Sequence, residues 1–101
     1  MLKTKFNLTK IEKHLLKSRR KITLKQFAEE FNLNHRKVLK EFKRFLLLLN
    51  EDEKKTIKYI KINSNSKEIT FSVNYKALIW FVVNFYPHLR KQVENYLYVK
   101  K

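Results

Sequence analysis

Between Thr23 and Leu49 the sequence carries two helical patterns separated only by Asn32-Leu33-Asn34, and so short a link leaves room for a tight turn and nothing more. The first pattern opens on Thr23, whose hydroxyl can cap the backbone. Gln26 stands at the reciprocal third position, and Ile22 and Phe27 are placed to close over the first turn. This helix is expected to end near Phe31, because Asn32 is the best non-glycine residue for a left-handed C-cap. Asn34 then caps a longer helix from His35, with Leu33 and Val38 as its staple pair. In that helix Val38, Phe42, Phe45 and Leu49 recur at i, i+4, i+7 and i+11, which aligns one buried stripe. With the stripe turned inward, Arg36, Lys40, Lys43 and Arg44 fall on the outward side, and His35 and Lys37 sit in the first turn. The run Leu46 to Leu49 holds more leucine than one face can bury, so this end is expected to pack against two surfaces.

Upstream, Leu8, Ile11 and Leu15 keep helical spacing, and Thr9 with Glu12 fits a capping box, so a first helix is expected from about Thr9 to Lys17. The basic connector Lys17-Ser18-Arg19-Arg20-Lys21 follows. Downstream, Glu51-Asp52-Glu53 reads as a solvated loop. From Thr56 to Val73 the period changes to two: Ile60 and Ile62 alternate with lysines, and Ile69, Phe71 and Val73 with Thr70 and Ser72, around the turn-prone stretch Asn63 to Lys67. That is a β-hairpin. Asn74 caps a further helix with Val73 and Leu78 as staple, Tyr86-Pro87 interrupts it, and Leu89, Val93, Tyr96 and Leu97 mark a last helix. No repeat or flexible linker divides the chain, so residues 1–101 are expected to form a single α+β domain, mainly α. The segment Ala77 to Val83 is apolar on every side. Its surplus predicts a homodimer interface built from Leu78, Trp80, Phe81, Val82, Phe85, Leu89 and Val93. The alternative is a helix sandwiched between the first helix and the hairpin of one monomer.

Helix, short helix, tight turn, longer basic helix and hairpin is the order found in winged helix-turn-helix proteins. Phe27-Ala28, Phe31-Asn32-Leu33, Val38, Phe42 and Phe45 resemble the buried positions of that family. The family often has glycine in the turn, where Asn32 stands here, and the hairpin of this chain has no glycine. The resemblance implies three N-terminal helices, a β-hairpin wing and C-terminal helices: helix-turn-helix at about 23–49, wing at about 56–73 and C-terminal helices at about 75–98. It further implies sequence-specific binding of double-stranded DNA by a transcriptional regulator, with the third helix in the major groove. His35, Arg36, Lys37 and Lys40 are then expected nearest the bases, Arg36 first because its fork matches guanine O6 and N7. Phosphate contacts are expected from Arg19, Arg20, Lys21, Thr23, Lys25, Lys43, Arg44, Lys58, Lys61 and Lys67, with Lys25 helped by free N–H groups at the start of its helix. Two neighbouring readings remain: a plasmid or viral replication or partition protein, and a winged-helix protein-interaction module or inhibitor from a mobile element.

Composition agrees with a polyanionic partner. Lys and Arg number 24 against 9 Asp and Glu, a formal charge of +15. Residues 1–45 hold 14 Lys/Arg and 4 Asp/Glu, whereas residues 46–101 hold 10 and 5, so the stronger field lies on the half with the basic helix. No cysteine argues for a disulfide framework or a thiolate metal site, and a cytoplasmic, nucleoid-associated protein is expected. The N-terminus lacks an unbroken apolar stretch, and Ala77 to Val83 is far shorter than the roughly 20 residues that span a bilayer, so no membrane partner is expected. His14, His35 and His88 lack metal-ligand spacing, and without glycine there is no phosphate-cradling loop. Glu53-Lys54-Lys55 is similar to half of a nuclease motif, but the sole aspartate, Asp52, lies beside it and supplies no upstream ligand. Neither a cofactor nor an enzyme activity is expected.

Overall fold

The computed structural model describes residues 9–63 and 69–99. In chain order these form α1 (Lys10–Leu16), β1 (Lys21–Thr23), α2 (Leu24–Glu30), α3 (His35–Leu48), α4 (Glu51–Thr56), β2 (Tyr59–Asn63), β3 (Ile69–Asn74), α5 (Tyr75–Phe85), a 3-10 turn at Pro87–Leu89, and α6 (Arg90–Val99). Leu8 and most of the hairpin turn, including Lys67, lie outside the described residues.

Helix starts are set by side chains. The oxygens of Thr9, Thr23, Asn34, Asn50 and Asn74 accept the third-position N–H of α1 to α5, at 3.1, 3.0, 3.1, 2.8 and 3.0 Å. Each such cap is worth about 1 kcal/mol. Between α2 and α3, Asn32 adopts a positive φ of 55°. Leu33 N–H bonds back to the Ala28 carbonyl at 2.8 Å and Asn32 N–H to that of Glu29 at 3.3 Å. This paired closure is the Schellman arrangement, and it ends α2 without glycine.

The three strands form an antiparallel sheet in the order β1-β3-β2. Strand β1 was not expected from the sequence. Its three residues have no period of their own, and their partners, Lys21↔Asn74, Ile22↔Val73 and Thr23↔Ser72, come from the far end of the chain. The hairpin is present, and its register sets the isoleucines of β2 opposite polar residues of β3. Tyr59 pairs with the fully buried Val73, whereas Ile60 and Ile62 pair with Ser72 and Thr70. Ile60 and Ile62 are 55% and 37% exposed, although Thr70, the partner of Ile62, is buried. Glu51-Asp52-Glu53 is not a loop but the first turn of α4, with a capping box between Asn50 and Glu53.

Val38, Phe42, Phe45 and Leu49 are buried as the stripe requires. The leucine-rich end of α3 departs from expectation: Leu46 is half-buried, but Leu47 is 84% and Leu48 47% exposed. A single helix face accommodates only one side of such a run.

Helix α5 runs through the middle, against α1, α3, α6 and β3. Phe81 is its hub, with ring centroids of Phe42, Phe45, Phe85 and Tyr86 at 5.5, 5.6, 5.3 and 5.6 Å. Four of the expected dimer contacts, Leu78, Phe81, Val82 and Val93, are thus enclosed by the chain's own elements and cannot serve as a subunit interface in this fold. Apolarity on every side reflects neighbours on every side. Trp80, Phe85 and Leu89 are only partly buried at the margin of the core, and Lys76 Nζ sits 4.9 Å above the Trp80 ring. No helix among the described residues is long and apolar enough to cross a membrane.

One charged cluster locks the N-terminal and C-terminal helices together. Arg90 of α6 donates through Nε and Nη2 to both oxygens of the buried Glu12 of α1, each at 2.7 Å, and Thr9 N–H donates to Glu12 at 2.9 Å. The Thr9 hydroxyl donates in turn to the buried Glu94 carboxylate.

Candidate nucleic-acid interface

The buried stripe fixes how α3 is rotated. Arg36, Lys37, Lys40, Lys43 and Arg44 are all exposed on the remaining surface of the helix. At about 100° per residue, Arg36 and Lys43 fall toward one flank with Leu39, Lys40 points outward, and Lys37 and Arg44 fall toward the other flank. The one carboxylate of the helix, Glu41, is half-buried and accepts a hydrogen bond from the Tyr86 hydroxyl at 2.6 Å. Burial, then the hydrogen bond and negative charge of Glu41, push the Tyr86 phenol well above its ordinary value. That contact turns the acid away from the basic face.

The flank holding Arg36 and Lys43 borders the hairpin. A groove of about 720 Å³ runs between them, lined by Asn34, His35, Arg36, Leu39 and Lys43 from α3 and by Lys61, Ile69 and Phe71 from β2 and β3. Three permanent cations and no carboxylate are among these residues. Lys61 reaches the groove because it pairs with Phe71 across β2 and β3, on the inner side of the hairpin.

The first turn of α3 is anchored rather than free. His35 is half-buried, with Nε2 3.0 Å from the Thr70 Oγ1, and the same oxygen accepts Lys25 N–H at 3.2 Å. Thr70 therefore holds the starts of both α2 and α3 against β3. Sequence reasoning passed over Thr70 as the polar residue between Ile69 and Phe71, yet it is buried, and only its partners in space reveal its place. Asn34 accepts Lys37 N–H at 3.1 Å and so acts as a cap.

These bonds revise the phosphate contacts expected at α2. Thr23 Oγ1 accepts Gln26 N–H at 3.0 Å, Thr23 N–H donates to Gln26 at 3.1 Å, and Lys25 N–H is spent on Thr70. Neither the Thr23 oxygen nor those amides are available in the way the sequence suggested, so a phosphate there must be met by side-chain charge.

Other expected phosphate contacts are dispersed. Arg20 and Lys21 line a separate cleft of about 250 Å³ with Ile22, Gln26 and Tyr75. Lys21 sits on β1 and Lys61 on β2, at opposite edges of the sheet. Arg19 and Lys58 are exposed outside both clefts. Aromatic side chains also divide: Tyr75 is buried, Tyr96 packs on Phe31 at 5.6 Å, and Tyr98 is half exposed near His14 at 6.4 Å. Among the described residues no three His, Asp or Glu side chains converge as a metal site would need. No protein-family model, curated protein or solved structure matches the chain.

Proposed function

We propose that this chain is a winged helix-turn-helix domain that binds double-stranded DNA sequence-specifically, as a transcriptional regulator does, with α3 in the major groove. The observation that carries the reading is the basic face of α3, five exposed cations whose one neighbouring acid is turned onto Tyr86, set beside a hairpin that adds Lys61 across a shared groove. Its 14 residues run about 21 Å in length, and a helix about 10–12 Å in diameter fits a major groove about 12 Å across. The order β1-β3-β2, with the hairpin beside α3, supports the winged form.

In this reading Arg36, Lys37 and Lys40 approach base edges, while Lys43, Arg44 and Lys61 meet phosphates. His35 positions the start of α3 through Thr70 and leaves only the rest of its ring to the groove. Each phosphate neutralised adds about 0.9 to the slope of log affinity against log salt.

Selection of bound sequences from a random duplex pool at two salt concentrations tests the proposal. A consensus site is expected, with an inverted repeat if two copies bind together. Arg36→Ala should cost about 1–3 kcal/mol on that site and relax one position, whereas Lys43→Ala should weaken all duplexes alike and lower the salt slope by about one. Recovery of unenriched sequence, or equal loss on every duplex for Arg36→Ala, would overturn sequence reading by α3.

A further inference from the structure

Beyond its cations, the groove beside α3 has an apolar floor. Leu39 is half-buried there, one turn from both Arg36 and Lys43, and across from it Ile69 is 42% exposed above the buried Phe71. Val38 and Phe42, its neighbours on the helix, are closed inside the core, so Leu39 is the apolar side chain that α3 offers to the groove. The rim carries Arg36, Lys43 and Lys61, which selects a polyanion as the occupant.

Resting on the reading of α3 as a recognition helix, we propose that Leu39 reads the C5-methyl group of thymine. On the major-groove edge of DNA the thymine methyl is the one apolar group; every other feature there is a hydrogen-bond donor or acceptor. A donor or acceptor set against Leu39 and Ile69 loses its water without gaining a partner, whereas a methyl group gains by burial. Arg36 and Leu39 stand three residues apart, with Cβ atoms about 5–6 Å from each other. Successive bases along a strand are about 3.4 Å apart, so the two side chains address positions one or two steps apart. The site therefore contains a thymine within about two steps of the base contacted by Arg36.

Replacing thymine by deoxyuridine removes only the methyl group and leaves every hydrogen-bonding atom in place. Each thymine of the selected consensus is replaced in turn, and dissociation constants are measured for the native chain, Leu39→Ala and Leu39→Met. One position should bind the native chain about fourfold more weakly as uracil, the equivalent of about 0.8 kcal/mol for one buried carbon. Leu39→Ala should bind the two duplexes equally with an unchanged salt slope, and Leu39→Met should restore the preference for thymine. Equal binding of thymine and uracil duplexes by the native chain, a consensus without thymine near the Arg36 position, or a preference that survives in Leu39→Ala overturns the assignment while leaving DNA reading intact. Failure to select any consensus overturns the function itself, and this inference with it.

Discussion

Arg90→Met probes the contact that joins the two ends of the described chain. Native Arg90 makes two hydrogen bonds of 2.7 Å to Glu12, whose side chain is 1% exposed, while Arg90 itself is 30% exposed. Methionine keeps the length and apolar stem but removes both donors and the charge. Glu12 is left in the interior with the Thr9 N–H. Removing one partner of a buried pair costs about 3–5 kcal/mol. The solvent that reaches Arg90 lowers this to about 2–3 kcal/mol here. For a domain of this size that is a fall in Tm of about 10–20 °C. Urea and thermal unfolding followed by circular dichroism at pH 7 measure it. Acidity supplies a second readout. Burial pushes the Glu12 carboxyl up, but the bonds and charge of Arg90 and the bonds of Thr9 outweigh it and hold the group below 4.5. A carboxyl lowered on folding contributes its full stabilisation above the unfolded value and loses it as pH falls through the folded one. In Arg90→Met the lowering by the Arg90 bonds and charge is gone, so the carboxyl titrates higher than in the native chain, and its cost is greatest at neutral pH and relaxes on protonation. The deficit should therefore narrow from pH 7 toward pH 4, and Glu12→Gln combined with Arg90→Met should recover much of it. A deficit under about 0.5 kcal/mol at pH 7, or one that stays constant into acid, refutes the assigned role.

Asn32→Ala should cost about 1 kcal/mol in urea unfolding, because alanine resists the positive φ, while Asn32→Gly should be neutral or slightly stabilising. Phe81→Ala should cost about 3–5 kcal/mol, equally at all protein concentrations, as expected of a residue enclosed by its own chain rather than of a subunit contact. Thr70→Val should cost about 1–3 kcal/mol by leaving Lys25 N–H without its acceptor, with Thr70→Ser retaining most of the stability. The same Thr70→Val change frees His35, and weaker binding of a selected duplex at a temperature where the variant remains folded would report the loss of its anchor.

Much of the fold was legible because its signals lie within one helical turn of each other. The boundaries at Thr23 and Asn34, the positive φ of Asn32 and the stripe from Val38 to Leu49 depend on residues three or four apart, which the sequence displays directly. Helix α4 carried a comparable signal: Asn50 and Glu53 form the same kind of box as Thr9 and Glu12. It was missed because consecutive acids between them carry no apolar period.

The basic character of α3 and the residues on its outer face followed from the sequence alone, since a single buried stripe fixes the rotation of a helix. Which cations share a groove did not. Lys61 meets Arg36 and Lys43 while Lys21 is carried to the far edge because β3 pairs with β1 on one side and β2 on the other. Register set Ile60 and Ile62 opposite Ser72 and Thr70 rather than Phe71 and Val73, a choice that alternation alone leaves open. Tertiary packing also turned the apolar surplus of α5 into a core and bound His35 and Lys25 to Thr70. Local backbone chemistry writes helix ends and faces into neighbouring residues, but strand pairing and enclosure depend on partners remote in sequence, and only the folded chain brings those together.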